Sequence, residues 1–146
     1  MAFKFKLQRI LDLKIKQEDE KKNQIAVLIN SIKDKEEELE KVLSEKKEKE
    51  VSLNMDSKKG ISILEIRNIN QYLLFLDKKI NTINFEISSL ESNLKQKRQE
   101  YLELQKDRKT FEKLKEKDYE KYLYNEKKEE EKMIDQIVTF NKNNTK

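Results

Sequence analysis

An all-α fold, a long two-helix antiparallel coiled-coil hairpin whose second helix is longer than the first, is what three features of the sequence predict. Of 146 residues, 42% are charged and 35% hydrophobic, and Ala, Glu, Lys, Leu and Arg fill half the chain. That is the composition of long helices and coiled coils. Apolar residues recur at alternating steps of three and four, the spacing of one helix face. Proline is absent and Gly60 is the only glycine, so one break interrupts a chain that is otherwise compatible with helix. Disorder is the rival reading of so polar a chain. Against it, Leu, Ile, Val and Phe exceed a quarter of the residues, and the net charge of +4 is small beside 33 basic and 29 acidic side chains.

The first helix is expected over about residues 3–54. Its ladder runs Leu7, Leu11, Lys14, Glu18, Lys21, Ile25, Leu28, Ile32, Lys35, Leu39, Val42, Lys46, Lys49 and Leu53. Eight of these fourteen positions are apolar, and the charged break at Lys14, Glu18 and Lys21 is the main irregularity. A turn is expected over about residues 55–60, because Asn54, Asp56, Ser57 and Gly60 are turn and cap residues. The second helix is expected over about 61–140, with a frayed tail at 141–146, all within one coiled-coil domain, 1–146. Its ladder, Ile66, Ile69, Leu73, Leu76, Ile80, Ile83, Ile87, Leu90, Leu94, Lys97, Tyr101, Leu104, Arg108 and Phe111, is apolar at twelve of fourteen positions. The seam core is assigned to Ile25, Leu28, Ile32, Leu39, Ile80, Ile83, Ile87, Leu90 and Leu94. A fold-back near residue 58 makes facing residue numbers sum to roughly 116. Glu18 then falls near Lys97 and Arg98, either as an ion-paired layer that sets register or as a locally loose stretch. Residues after about 112 are left without a partner from the first helix.

Composition also excludes chemistry. The chain has no His and no Cys, which removes Cys and His zinc sites, haem ligation through these residues, and Ser-His or Cys-His nucleophiles. A single glycine removes the glycine-rich phosphate loops. No apolar run exceeds five residues, too short to span a membrane. Charges at Lys4, Lys6, Arg9 and Asp12 leave no signal-peptide apolar region, so the cytoplasm is the expected compartment. Neither an enzymatic activity nor a cofactor is expected.

Two places are candidates for binding. In Tyr72-Leu73-Leu74-Phe75-Leu76, only Leu73 and Leu76 belong on the seam. Tyr72, Leu74 and Phe75 form either an exposed docking patch or a broadened seam with Phe75 packed on the first helix. At the open end, Phe3, Phe5 and Leu7 alternate with Lys4 and Lys6, close to Arg108, Phe111 and Leu114. A basic amphipathic membrane helix there is opposed by Asp12, Glu18, Asp19 and Glu20. Nucleic acid is suggested by a pI near 9.0. It is opposed by charges that interleave in sign and by the presence of only four Arg. Tyr119, Tyr122 and Tyr124 are read as helix or partner packing rather than base stacking. The runs Glu36-Glu37-Glu38 and Glu129-Glu130-Glu131 read as solvated faces, since a two-helix rod offers no pocket to shift a carboxyl pKa.

The opening Phe3-Lys4-Phe5-Lys6-Leu7-Gln8-Arg9-Ile10-Leu11 resembles the N-terminal signature of the flagellar export protein family FliJ. Gly60-Ile61, Asn70-Gln71-Tyr72-Leu73 and Leu76 are similar to its mid-chain pattern. Arg108-Lys109-Thr110-Phe111-Glu112-Lys113-Leu114-Lys115 and Glu131-Lys132-Met133-Ile134-Asp135 are similar to its C-terminal pattern. The resemblance implies a cytoplasmic component of bacterial flagellar type III export, at the inner face of the cell membrane and without direct membrane insertion. It implies three partners: the hexameric export ATPase, the membrane export gate, and chaperones of late substrates. No nucleic acid is among them. By the same resemblance, Phe3, Phe5, Arg108, Phe111 and Leu114 are candidates for the ATPase ring. Tyr72 and Leu76, with Leu74 and Phe75 beside them, are candidates for the gate. Other readings are the equivalent stalk of a virulence secretion system and an unrelated helical-hairpin adaptor or chaperone.

Overall fold

The computed structural model describes residues 2–144. After an N-terminal arm come α1, Gln8–Lys59, and α2, Ile63–Asn144, of 52 and 82 residues, and the described residues contain no strand. The two helices pack closely as an antiparallel hairpin, the second being the longer.

The reversal is built by capping on both sides. Gly60 holds φ at +81°, the left-handed conformation in which a helix ends and which costs a side-chain-bearing residue energy. Its N–H donates to Ser57 O at 3.4 Å, one of the bonds of a Schellman-type end. Lys58 and Lys59 lie in the last turn of α1, where positive charge suits the helix dipole. After three non-helical residues, Ser62 Oγ accepts the Glu65 N–H at 3.2 Å. Ser62 and Glu65 have the spacing of a capping box, and Glu65 places an acidic group in the first turn of α2.

This reversal lies later than the sequence suggests. Asn54, Met55, Asp56 and Ser57 are helical, not a turn. Their polar groups are satisfied inside the helix: Ser57 Oγ donates to Asn54 O at 3.1 Å, and Ser52 Oγ donates to Asp56 at 3.4 Å. Facing residues in this part of the chain accordingly have numbers summing to a little over 120, as in Lys35–Glu86 and Lys46–Asp77. The expected sum of 116 is thereby corrected.

The chain packs as two compact units. The first is Lys21–Glu100, which contains the reversal. Val42, Leu76 and Ile83 are its most enclosed side chains, with Leu39, Ile80 and Ile87 packed against them. Ile32 and Leu94 are also buried, while Ile25, Leu28 and Leu90 are half-buried. Two helices cannot enclose a seam completely, so charged side chains close its flanks. Lys35 reaches Glu86 at 2.7 Å, Lys46 reaches Asp77 at 2.7 Å, and Lys21 pairs with Glu100.

The second unit combines Met1–Glu20 with Tyr101–Lys146. Helix α1 begins at Gln8, not near residue 3. Residues 2–5 are neither helix nor strand and are followed by a turn in which Gln8 N–H donates to Phe5 O at 3.2 Å. Phe3 and Phe5 point inward and Lys4 and Lys6 outward, the two-residue alternation of an extended chain. Phe5 and Leu11 are buried. At the far end α2 continues as helix through Asn144, so the frayed tail expected at 141–146 is helical over 141–144, and positions 145–146 lie outside the described residues.

Gly60 tests the reversal. A Cβ built there meets no atom within 4 Å, so the cost of Gly60→Ala is conformational alone. We expect a loss of about 1 kcal/mol, the penalty of left-handed backbone in a residue with a side chain, read from urea unfolding.

Candidate functional site

The Tyr72 region lies in the unit Lys21–Glu100, and the structure divides its residues among different faces. Leu76 is 1% exposed, the most enclosed side chain among the described residues. It is a core residue, and contact with a partner would require the hairpin to open around it. Tyr72 is tied to α1: its hydroxyl donates to the Glu45 carboxylate, and Lys49 Nζ stands 5.6 Å from its ring centre. The Glu45 carboxylate raises the pKa of the Tyr72 hydroxyl above its ordinary value, because it holds the proton it accepts. Phe75 stacks beside Tyr72 with ring centres 6.1 Å apart and remains 58% exposed. Two residues from Tyr72, Leu74 is turned about 200° around the helix and exposed on the far side. The available surface is therefore Tyr72 and Phe75, a small aromatic face steadied from α1.

The open-end candidates lie in the other unit, and most of them are engaged within the chain. Phe3 meets Tyr119 edge-on at 5.2 Å and Tyr122 at 5.5 Å, the geometries in which ring edge and ring face attract. Burial raises the Tyr122 hydroxyl pKa, with Glu126 adding to the shift. Phe5 is buried, Phe111 is half-buried, and Leu114 is exposed. Coverage of α2 thus extends to Tyr122, past the limit near residue 112 expected from the sequence. An open groove runs beside the arm, bordered by Phe3, Leu11, Ile15, Glu112 and Tyr119.

Arg108 anchors a polar layer instead of offering a free cation. Its Nε donates to Glu18 at 2.5 Å, and its Nη1 donates to both oxygens of Glu112 at 2.9 and 3.1 Å. Glu18 is the one buried charged side chain among the described residues. Its partner is Arg108 rather than Lys97 or Arg98. The Arg108 pKa is raised by Glu18 first and Glu112 second. Nearby, Lys14 pairs with Asp107 at 3.3 Å. Ladder positions that look like defects in the sequence, Lys14, Glu18 and Lys21, each hold a cross-helix ion pair.

Among the described residues no group of three or more acidic side chains could hold a metal ion, and no helix is long and apolar enough to cross a membrane. What the chain offers is helix surface: an aromatic face near the reversal and an aromatic end at the arm. These features define an all-α helical-hairpin protein. The chain matches the family of flagellar FliJ proteins over residues 3–146 and belongs to it. A similar protein, named flagellar FliJ protein, is found in Bacillus subtilis (strain 168). It is 26% identical over 137 residues, covering 94% of this chain and 93% of its own length. No solved structure matches the chain. Family membership makes the chain a component of the flagellar export apparatus.

Two measurements test the assignments. In urea unfolding, Leu76→Ala is expected to cost about 2–5 kcal/mol, the range for emptying an enclosed leucine site, whereas Phe75→Ala is expected to cost under about 1 kcal/mol. Equal losses would return Phe75 to the core. The Lys21–Glu100 pair gives a pH signature. Lys21 lowers the Glu100 pKa, so the carboxylate stabilises the hairpin above its ordinary titration range and loses that effect as pH falls through the lowered value. Glu100 in turn raises the Lys21 pKa, so that contribution is present below the ordinary lysine value and lost as pH rises through the raised one. Thermal unfolding followed by circular dichroism should show wild type above Glu100→Gln at neutral pH. The gap should close in acid, and should shrink in about 1 M salt.

Proposed function

We propose that this chain is the non-enzymatic stalk of flagellar protein export. It inserts into the hexameric ring of the export ATPase, stimulates it, and links it to the membrane export gate and to chaperones of late substrates. Its place is the cytoplasm, at the inner face of the cell membrane. The observation that carries the reading is the family match across residues 3–146.

The physical logic is that of a ligand acting on assembly. A hairpin that binds the assembled ring better than its separate subunits stabilises the ring by the difference in affinity. On this reading the chain supplies contact surface, and the hydrolytic chemistry stays with the ATPase. Leu114 and the aromatic end formed by Phe3 are the ring contact, with Phe5, Arg108 and Phe111 holding that end in shape. Tyr72 and Phe75 are the gate contact, and Leu76 supports them from the seam.

ATP turnover by the purified export ATPase tests the ring role. Stoichiometric addition of the full chain is expected to raise turnover several-fold, and Leu114→Glu should reduce the stimulation while leaving helicity unchanged. No stimulation at micromolar concentration of the intact chain would remove the ring role. For the gate role, Phe75→Ser should weaken binding to the gate's soluble part without loss of helical circular dichroism.

A further inference from the structure

Past Tyr122, α2 runs on alone. Every residue from 123 to 144 is exposed. Met133, Ile134, Ile137, Val138 and Phe140 are each between 56% and 63% exposed. Five large apolar side chains within eight residues are a patch, not a scatter of single exposures.

Their positions on the helix are ordered. At about 100° per residue, 18 residues make about five full turns. Ile137 therefore lies directly along the helix from Tyr119, and Phe140 from Tyr122. Tyr119 and Tyr122 are the rings on which Phe3 packs. The apolar face of the lone stretch is thus the continuation of the face that the chain covers with its own arm. Ile134 and Val138 widen it. The contacts of Phe3 reach Tyr122, and the residues of α2 beyond it are exposed.

Charge says what would cover the rest. The same helical angles bring Glu126 and Glu130 onto the apolar face, with Lys127 at its edge. Lys128, Lys132 and Lys142 fall on the opposite half of the helix together with Glu131 and Asp135, and Lys128 Nζ sits 5.3 Å from the Tyr124 ring centre on that side. The apolar half of the lone stretch is therefore net acidic, while its opposite half is mixed in sign.

We propose that the stretch 123–144 is the docking face for a basic amphipathic helix of another polypeptide. That helix carries apolar residues at three- and four-residue spacing, interrupted by Lys or Arg where it meets Glu126 and Glu130. The mode is one helix laid along another, read at i, i+4 and i+7 anchors. A second copy of this chain fits poorly, because it would bring a second Glu126 and a second Glu130 into the same seam. An anionic membrane surface also fits poorly, because inserting the apolar face would carry these carboxylates toward the headgroups and the lysines away from them. The proposal does not depend on the stalk reading.

The test uses the full chain and two fluorescein-labelled synthetic helical peptides with the same leucine ladder. One has Lys and the other Glu at the positions that flank the ladder. Fluorescence anisotropy should show the Lys peptide binding at least tenfold more tightly. Ile137→Asp combined with Phe140→Ser should abolish that binding while leaving helical circular dichroism intact. Glu126→Lys combined with Glu130→Lys should reverse the preference toward the Glu peptide. Equal affinity for both peptides, no binding of either, or binding that survives the Ile137 and Phe140 substitutions would overturn the proposal. A concentration-dependent dimer abolished by Ile137→Asp would overturn it in favour of a second copy. Binding to anionic vesicles abolished by the same substitution would overturn it in favour of lipid. ATPase stimulation is a separate readout, so loss of the stalk role leaves this result standing.

Discussion

The three-residue reversal after Lys59 decides which side chains face one another. A helical seam repeats in steps of three and four, so moving the end of one helix by a few residues changes the partner of every seam residue on the other. The left-handed Gly60 and the Ser62 cap fix that end. Leu76 faces Val42 and Lys46 faces Asp77 because α1 runs to Lys59. Had the chain turned back near residue 58, Glu18 would have fallen near Lys97 and Arg98.

With only two helices, the molecule has little interior. Few side chains are enclosed among the described residues, and solvent reaches the flanks of the seam. Long charged side chains cover those flanks with their methylene stems and meet across the seam at their tips. Exposed pairs of this kind add little stability one at a time. The Glu18 layer differs, because its carboxylate is buried and bound by Arg108, which also holds Glu112. A shift in register would leave that carboxylate without its partner, and an unpaired buried charge is costly. The layer selects one alignment of the helices.

The seam of α2 from Leu73 to Leu104 was legible because no competing period runs through it. Its residues Leu76, Ile83 and Leu94 are the buried ones. The end of α1 was misread because Asn54, Asp56 and Ser57 have turn-forming side chains, and those same side chains can satisfy the helix that contains them. The stronger marker was the pair Ser62 and Glu65, which announces a helix start. At the N-terminus, the alternation of Phe3 and Phe5 with Lys4 and Lys6 was visible, but its period of two belongs to extended chain and not to the helix expected there. In the binding regions, the exposure of Phase-matched neighbours could not be read from type alone: Tyr72, Leu74, Phe75 and Leu76 are adjacent in sequence yet divide among a tethered face, a far side and the core. The partner of Glu18 depended on the register and could not be placed before the reversal was.

The same reversal orders the folding of the chain in time. Closing a loop costs more entropy as the loop lengthens. Glu45 and Tyr72 are 27 residues apart, whereas Glu18 and Arg108 are 90 apart. Contacts near Gly60 can form first, and each one shortens the loop that the next must close. Folding is then expected to proceed as a zipper from the reversal outward, with the Glu18 layer and the aromatic arm closing last. Unfolding would retrace this path, so the end that carries Phe3 opens first and most often.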